Sequence, residues 1–223
     1  MINHEHKCIF LHIPKTGGTS IEKFFKAPQG HHELPRDQIP NFSTSMSINE
    51  KGYLKYYGAR VHYDELNEKI CSDYFMFTFV RNPWDRIISL YKFWVEKPRN
   101  GGEFAFARER LQSVPACFKF FAKNIDYIFS LLPKDERVHI LPQYELNGNH
   151  AYLDYLDFVG RFENFQQDFD TICDKIGIPR QKLPHENKTN HKHYTEYYDD
   201  ETREIVERKY AKDIEYFGYK FGE

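Results

Sequence analysis

Apolar residues follow two rhythms along the chain. Short, nearly continuous apolar runs at residues 7–13 (KCIFLHI) and 74–80 (YFMFTFV) predict interior strands of a parallel sheet, because such strands are buried on both faces. A helical rhythm follows each run at once. After the first, Ile21, Phe24 and Phe25 share one face behind a candidate cap at Thr19 or Ser20. After the second, Ile87, Leu90, Tyr91 and Trp94 recur at helical spacing through Val95, with Asn82 as the cap and Pro83 in the first turn.

Both rhythms continue along the rest of the chain. Phe118, Phe121, Ile125, Phe129 and Leu132 predict one long helix over 114–132, and short strands are expected at 138–141 and 158–162. A helix carrying Phe165, Phe169, Ile172 and Ile176 should stop at Gly177, and a last helix should cover 200–213. Residues 27–58, broken by Pro28, Gly30, Pro35 and Pro40, read as an irregular, substrate-facing excursion. An extended piece at 59–61 and a helix at 64–71 follow it. Strand–helix alternation predicts an α/β fold, a three-layer αβα arrangement around a central parallel sheet, with residues 1–223 forming a single domain.

Composition narrows the function classes. A chain of 223 residues that is 40% hydrophobic and 29% charged can bury a full core. Its net charge of −2 lacks the basic excess of proteins that bind long nucleic acid. Cys8, Cys71, Cys117 and Cys173 are scattered singly, which predicts reduced thiols rather than a disulfide framework. The opening MINHEHKCIF lacks a secretory signal, and no run reaches the ~20 apolar residues of a membrane span. A cytoplasmic chain without stable membrane insertion is therefore expected.

Candidate chemistry sits where the two strands end, the edge at which open parallel sheets bind ligands. In HIPKTGGTS (residues 12–20), Lys15 brings a point charge, Gly17 and Gly18 let the backbone approach an anion, and Thr16, Thr19 and Ser20 offer hydroxyls beside a helix N-terminus. The lysine precedes the glycines, unlike the P-loop of NTPases, where it follows them. At the second strand end Arg81 can fork onto a phosphate, with Ser89 two helical turns above Asn82 on the face of Arg86. A kinase or ATPase would place an acid there to hold Mg²⁺. Two metal-free anion sites fit a nucleotide with phosphates at both ends of its ribose. His185, His191 and His193 lack the spacing of a metal site, and no metal is expected.

KTGGTS (15–20) and FVRNPWDRIISLY (79–91) resemble the two cofactor signatures of sulfotransferases that use 3′-phosphoadenosine 5′-phosphosulfate (PAPS). FVGRFENF, LPHENKT and DIEYFGYKF make the likeness strongest to the carbohydrate sulfotransferase branch, which includes bacterial members and Golgi glycan 2-O-sulfotransferases. The resemblance spans residues 8–221. It implies that Lys15, Thr16, Gly17, Gly18, Thr19 and Ser20 hold the 5′-phosphosulfate, that Arg81 and Ser89 hold the 3′-phosphate, and that Lys188 closes over the donor. It also implies that PAP is the product, that a glycan is the acceptor, and that His62 is the catalytic base. Asp64 and Glu65 are rival bases, followed by His12 and His32. Sulfuryl transfer leaves charge on the departing nucleotide's bridging oxygen, where a lysine at the front of the loop can meet it. Two other classes remain open: an ATP-dependent small-molecule kinase with an atypical P-loop, and a non-catalytic nucleotide- or glycan-binding module.

Overall fold

The computed structural model describes residues 1–3, 5–25, 32–35, 53–56, 73–96, 115, 117–132, 137–145, 153–154, 156–184 and 192–223. Its strands are β1 (Ile2–Asn3), β2 (Cys8–Leu11), β3 (His32–Pro35), β4 (Tyr53–Tyr56), β5 (Phe75–Val80) and β6 (Phe158–Arg161). Its α-helices are α1 (Gly18–Phe24), α2 (Pro83–Tyr91), α3 (Phe118–Lys123), α4 (Ile125–Leu131), α5 (Phe165–Ile176), α6 (Asp200–Lys209) and α7 (Ala211–Phe217). The chain divides into two units, Met1–Val80 with Glu145–Lys188 and Arg81–Tyr144 with Thr189–Glu223.

The first unit holds the sheet, in the order β1-β2-β5-β6. β2, β5 and β6 are parallel, with Leu11 opposite Thr78 and Val80 opposite Arg161, and β1 adds an antiparallel edge. The α/β class and parallel sheet read from the sequence are thus observed. Both apolar runs are shorter as strands than their patterns suggest. Thr78, the polar residue inside the second run, is fully buried because its hydroxyl donates to the Leu11 carbonyl at 2.6 Å. Cys8, Phe10, Ile21, Phe77, Phe79, Phe169 and Ile172 form this unit's core. α5 ends as expected at Gly177, whose φ of 73° favours glycine. Within 27–58, β3 and β4 pair antiparallel instead of running irregularly. The segments 59–61 and 64–71 lie outside the described residues.

The second unit packs Trp84, Ile87, Leu90, Trp94, Phe121, Ile125, Ile128, Val206 and Tyr210 into its own core. α2 begins as read, with Pro83 in its first turn and the Asn82 side chain accepting from the Trp84 N–H at 3.2 Å. It continues into a π-helical turn, Lys92–Glu96. The long helix expected over 114–132 is two helices. Asn124 breaks it at φ −110°, ψ 21°, its side-chain amide donating to the Phe120 carbonyl at 2.8 Å in competition with the backbone ladder. The last helix likewise breaks, at Tyr210.

The strand expected at 138–141 is instead a 3-10 turn, Arg137–His139. Its carbonyls need no neighbouring strand. Arg86 donates to His139 O at 3.1 Å and to Leu141 O at 2.9 Å, and the Tyr210 hydroxyl donates to Ile140 O at 2.7 Å.

α6 starts with a capping box, in which Asp199 accepts from the Thr202 N–H and also pairs with Lys119 at 2.6 Å. Hydrogen bonds from Lys119 first, then from Thr202, hold the Asp199 carboxyl well below the usual carboxylate range. Asp199→Ala should lower the melting temperature by a few degrees. A depressed folded-state pKa contributes stability above the unfolded value of about 4, so the gap from wild type should narrow in thermal melts as the pH falls below that point. A gap of equal size at pH 7 and pH 3 would show that the charge contributes nothing.

Candidate anion-binding loops

The chain leaves β2 through Pro14 and Lys15 and enters α1 at Gly18. Thr16 is fully buried, its hydroxyl donating to the Ile13 carbonyl at 2.7 Å, so this side chain closes the turn. Lys15 has φ 72° and Gly17 has φ 89°. A left-handed lysine costs about 1–2 kcal/mol and persists only where its surroundings impose it. Such strain concentrates at functional positions.

The helix start corrects the capping expectation. Gly17 is the N-cap, no side chain caps α1, and Thr19 and Ser20 lie inside the first turn. A helix start without a side-chain cap presents backbone N–H groups and the positive end of the dipole, the arrangement that binds anions.

The two glycines serve different ends. Gly17 needs its positive φ, and a Cβ there would also come within 2.7 Å of the Phe165 ring. Gly18 is required by close approach: a Cβ would fall 2.2 Å from the His12 imidazole. That ring stacks on Phe10, and its Nδ1 lies 2.6 Å from Oε1 of the buried Glu22 in α1. His12, read as a minor candidate base, is thus a carboxylate-oriented imidazole packed beneath the loop.

The second loop follows β5 directly. Because β2 and β5 are parallel neighbours, the chain leaves both at the same carboxyl edge of the sheet. Arg81 directs Nε and one Nη to Asp85 Oδ2, both at 2.8 Å, one helical turn on. Its backbone is gripped from elsewhere: the Gln143 side chain accepts from the Arg81 N–H at 2.9 Å and donates to the Arg81 carbonyl at 2.8 Å. Asn82 donates to the Lys220 carbonyl at 3.0 Å, and Trp84 Nε1 to the Arg203 carbonyl at 3.2 Å, tying the motif to the chain's last helices and tail. Arg86 is fully buried on the turn at 137–141, so this second arginine of the motif is structural. Ser89 is half-buried on α2.

The structure therefore places Lys15, Thr16, Gly17, Gly18, Thr19 and Ser20 on one loop and helix start, and Arg81 with Ser89 on another. His62, Asp64, Glu65, His185, Lys188 and His191 lie outside the described residues. His193 is exposed, with Nδ1 2.7 Å from the Thr195 hydroxyl. Among the described residues no group of His, Cys, Asp or Glu could hold a metal ion, and no helix is long and apolar enough to cross a membrane. Cys8 and Cys173 are buried, and burial pushes the Cys8 thiol up to about 12, far from nucleophilic reactivity at neutral pH.

Sequence reasoning missed Asp85 and Gln143. Asp85 could have been found, since it lies four residues from Arg81 on the same helical face. Gln143 carries no motif.

The sequence pattern of the sulfotransferase family matches residues 1–220. Carbohydrate sulfotransferase 14 of Danio rerio is 22% identical over 240 residues, covering 98% of this chain and 61% of that protein. Carbohydrate sulfotransferase 9 of Homo sapiens is 24% identical over 229 residues, covering 96% of this chain and 47% of that protein. An uncharacterized protein of Archaeoglobus fulgidus is 25% identical over 118 residues, covering 53% of this chain and 80% of its own. The chain thus spans between about half and two thirds of the length of the two carbohydrate sulfotransferases. No solved structure gives a significant match.

Proposed function

Because the chain belongs to the sulfotransferase family, we propose that it moves a sulfuryl group from PAPS to a hydroxyl of a carbohydrate acceptor. The observation that carries this reading is Lys15, held left-handed at the front of a helix start that no side chain caps. It places a lysine side chain and backbone N–H groups in one short turn, suited to an anion whose charge grows during reaction.

In this reading the acceptor oxygen attacks sulfur in line, forming the new S–O bond as the S–O bond to the 5′-phosphate breaks. Lys15 meets the charge left on the departing phosphate oxygen. Thr16, Gly17, Gly18, Thr19 and Ser20 surround the 5′ side, Arg81 and Ser89 bind the 3′-phosphate, and Lys188 closes over the donor. The acceptor's proton passes to His62. His12 is the second reading for the base, favoured by its contact with Glu22, the base-and-orienter pairing seen in activated nucleophile systems. The reading takes residues 1–223 as one sulfotransferase domain acting in the cytoplasm, for which one cooperative thermal transition is expected.

Adenosine 3′,5′-bisphosphate should raise the melting temperature by several degrees, while ATP with Mg²⁺ should not. Labelled sulfate from PAPS should then appear on members of a glycan panel. Protection by ATP alone would sink the reading in favour of a kinase, and bisphosphate protection without turnover would point to a binding module. His62→Ala should abolish transfer where His12→Ala does not; the reverse result would make His12 the base.

A further inference from the structure

We propose that Gln143, itself anchored by Asp213, is a positioning residue that aims Arg81 and thereby sets the preference for a nucleotide bearing a 3′-phosphate. This rests on the reading that Arg81 binds that phosphate.

Gln143 is fully buried, and its amide meets both backbone polar groups of Arg81, as a neighbouring strand would. The two bonds fix the peptide planes on either side of Arg81, and with them the direction in which Cβ leaves the chain. A side-chain amide carries a donor and an acceptor on adjacent atoms at any ordinary pH, as this pairing requires. Gln143 is held in turn. Its own N–H donates to Asp213 Oδ2 at 2.8 Å, its Nε2 lies 3.4 Å from the same oxygen, and the next N–H, of Tyr144, donates to Oδ1 at 2.7 Å. Asp213 is also fully buried, on α7, seventy residues from the amide that it holds. At its far end the Arg81 side chain is steadied by Asp85.

A buried carboxylate and a buried amide are costly to desolvate unless each bond they make is used. Here most of those bonds converge on the backbone of the arginine and of the turn that carries the amide. Arginine recognises phosphate through a planar fork whose strength depends on direction, so an error in the backbone carries to the guanidinium. Binding groups must be held within about 0.5 Å of their working geometry by just such supporting shells.

The test compares affinities for adenosine 3′,5′-bisphosphate and adenosine 5′-phosphate by calorimetry, in the full chain. Gln143→Leu should weaken the bisphosphate at least about tenfold while shifting the monophosphate by no more than about twofold, since only the former reports on the 3′ contact. If Gln143→Leu does not fold, Gln143→Asn, which keeps a buried amide but is one methylene too short to span both bonds, should show the same selective loss. Arg81→Ala should erase the preference altogether. If Arg81→Ala erases the preference and the folded Gln143 variant keeps it, the positioning role is overturned while the Arg81 reading stands. If Arg81→Ala keeps the preference, the Arg81 reading itself fails and this inference fails with it. Equal weakening of both nucleotides by the Gln143 variant would also overturn it, marking a general structural role.

Discussion

Lys15→Ala is expected to reduce sulfuryl transfer by about 10²–10³-fold, the usual cost of removing one preorganised group at the point where charge develops. The effect should fall mainly on kcat, because the departing oxygen carries more charge in the transition state than in the bound donor. The backbone complicates alanine, because Lys15 sits at φ 72°, where any residue with a Cβ is strained. Lys15→Gly removes that complication. It should lose as much activity as alanine while matching or exceeding the wild-type melting temperature, since glycine adopts this conformation freely. Labelled-sulfate transfer, read beside thermal melts of both variants, separates the two effects. Full activity in either variant would remove Lys15 from the mechanism.

Arg86→Ala is expected to cost about 3 kcal/mol of stability, the largest loss predicted for any residue of the second loop. Its guanidinium is fully buried and donates to the carbonyls of His139 and Leu141. Truncation takes the guanidinium donors from one buried and one part-buried carbonyl and opens a void. It also removes a positive charge that acts on Asp213, whose carboxyl burial pushes up and whose main opposing influence is Arg86. Lysine should recover only part of the loss, since a single ammonium does not reproduce the fork. Denaturant unfolding gives the measure. Unchanged stability together with lost nucleotide binding would instead make Arg86 a ligand to the nucleotide.

β2, β5 and the start of α2 were legible because their signals are local. A strand buried on both faces is a continuous apolar run, and Asn-Pro before a helical stripe is a cap followed by a first turn. Gly177 ended α5 where expected for the same kind of reason. The sequence also drew attention to Lys15 ahead of two glycines and to Arg81 at a strand end, since residue type and position suffice to mark a candidate anion site. The fate of residues 138–141 was not legible. A short β-branched run reads as a strand unless something distant satisfies its carbonyls, and Arg86 and Tyr210, 53 and 70 residues away, do so. The breaks at Asn124 and Tyr210 were hidden because the apolar stripes continue across them.

At the site, the sequence by itself determined which groups could bind anions and at which strand ends they stand, because chemistry belongs to residue types and strand ends to pattern. Only the tertiary structure decided which atoms surround and hold each group. Of the two arginines five residues apart in one motif, Arg81 is held at its backbone by Gln143 and at its guanidinium by Asp85, and Arg86 is buried on backbone carbonyls. Of two adjacent glycines, Gly17 supplies a conformation, and Gly18 supplies room for the His12 ring. The physical reason is common to both pairs. A hydrogen bond or a van der Waals limit is set by atoms brought together across the fold, and for Arg81 those atoms lie 62 residues away on Gln143.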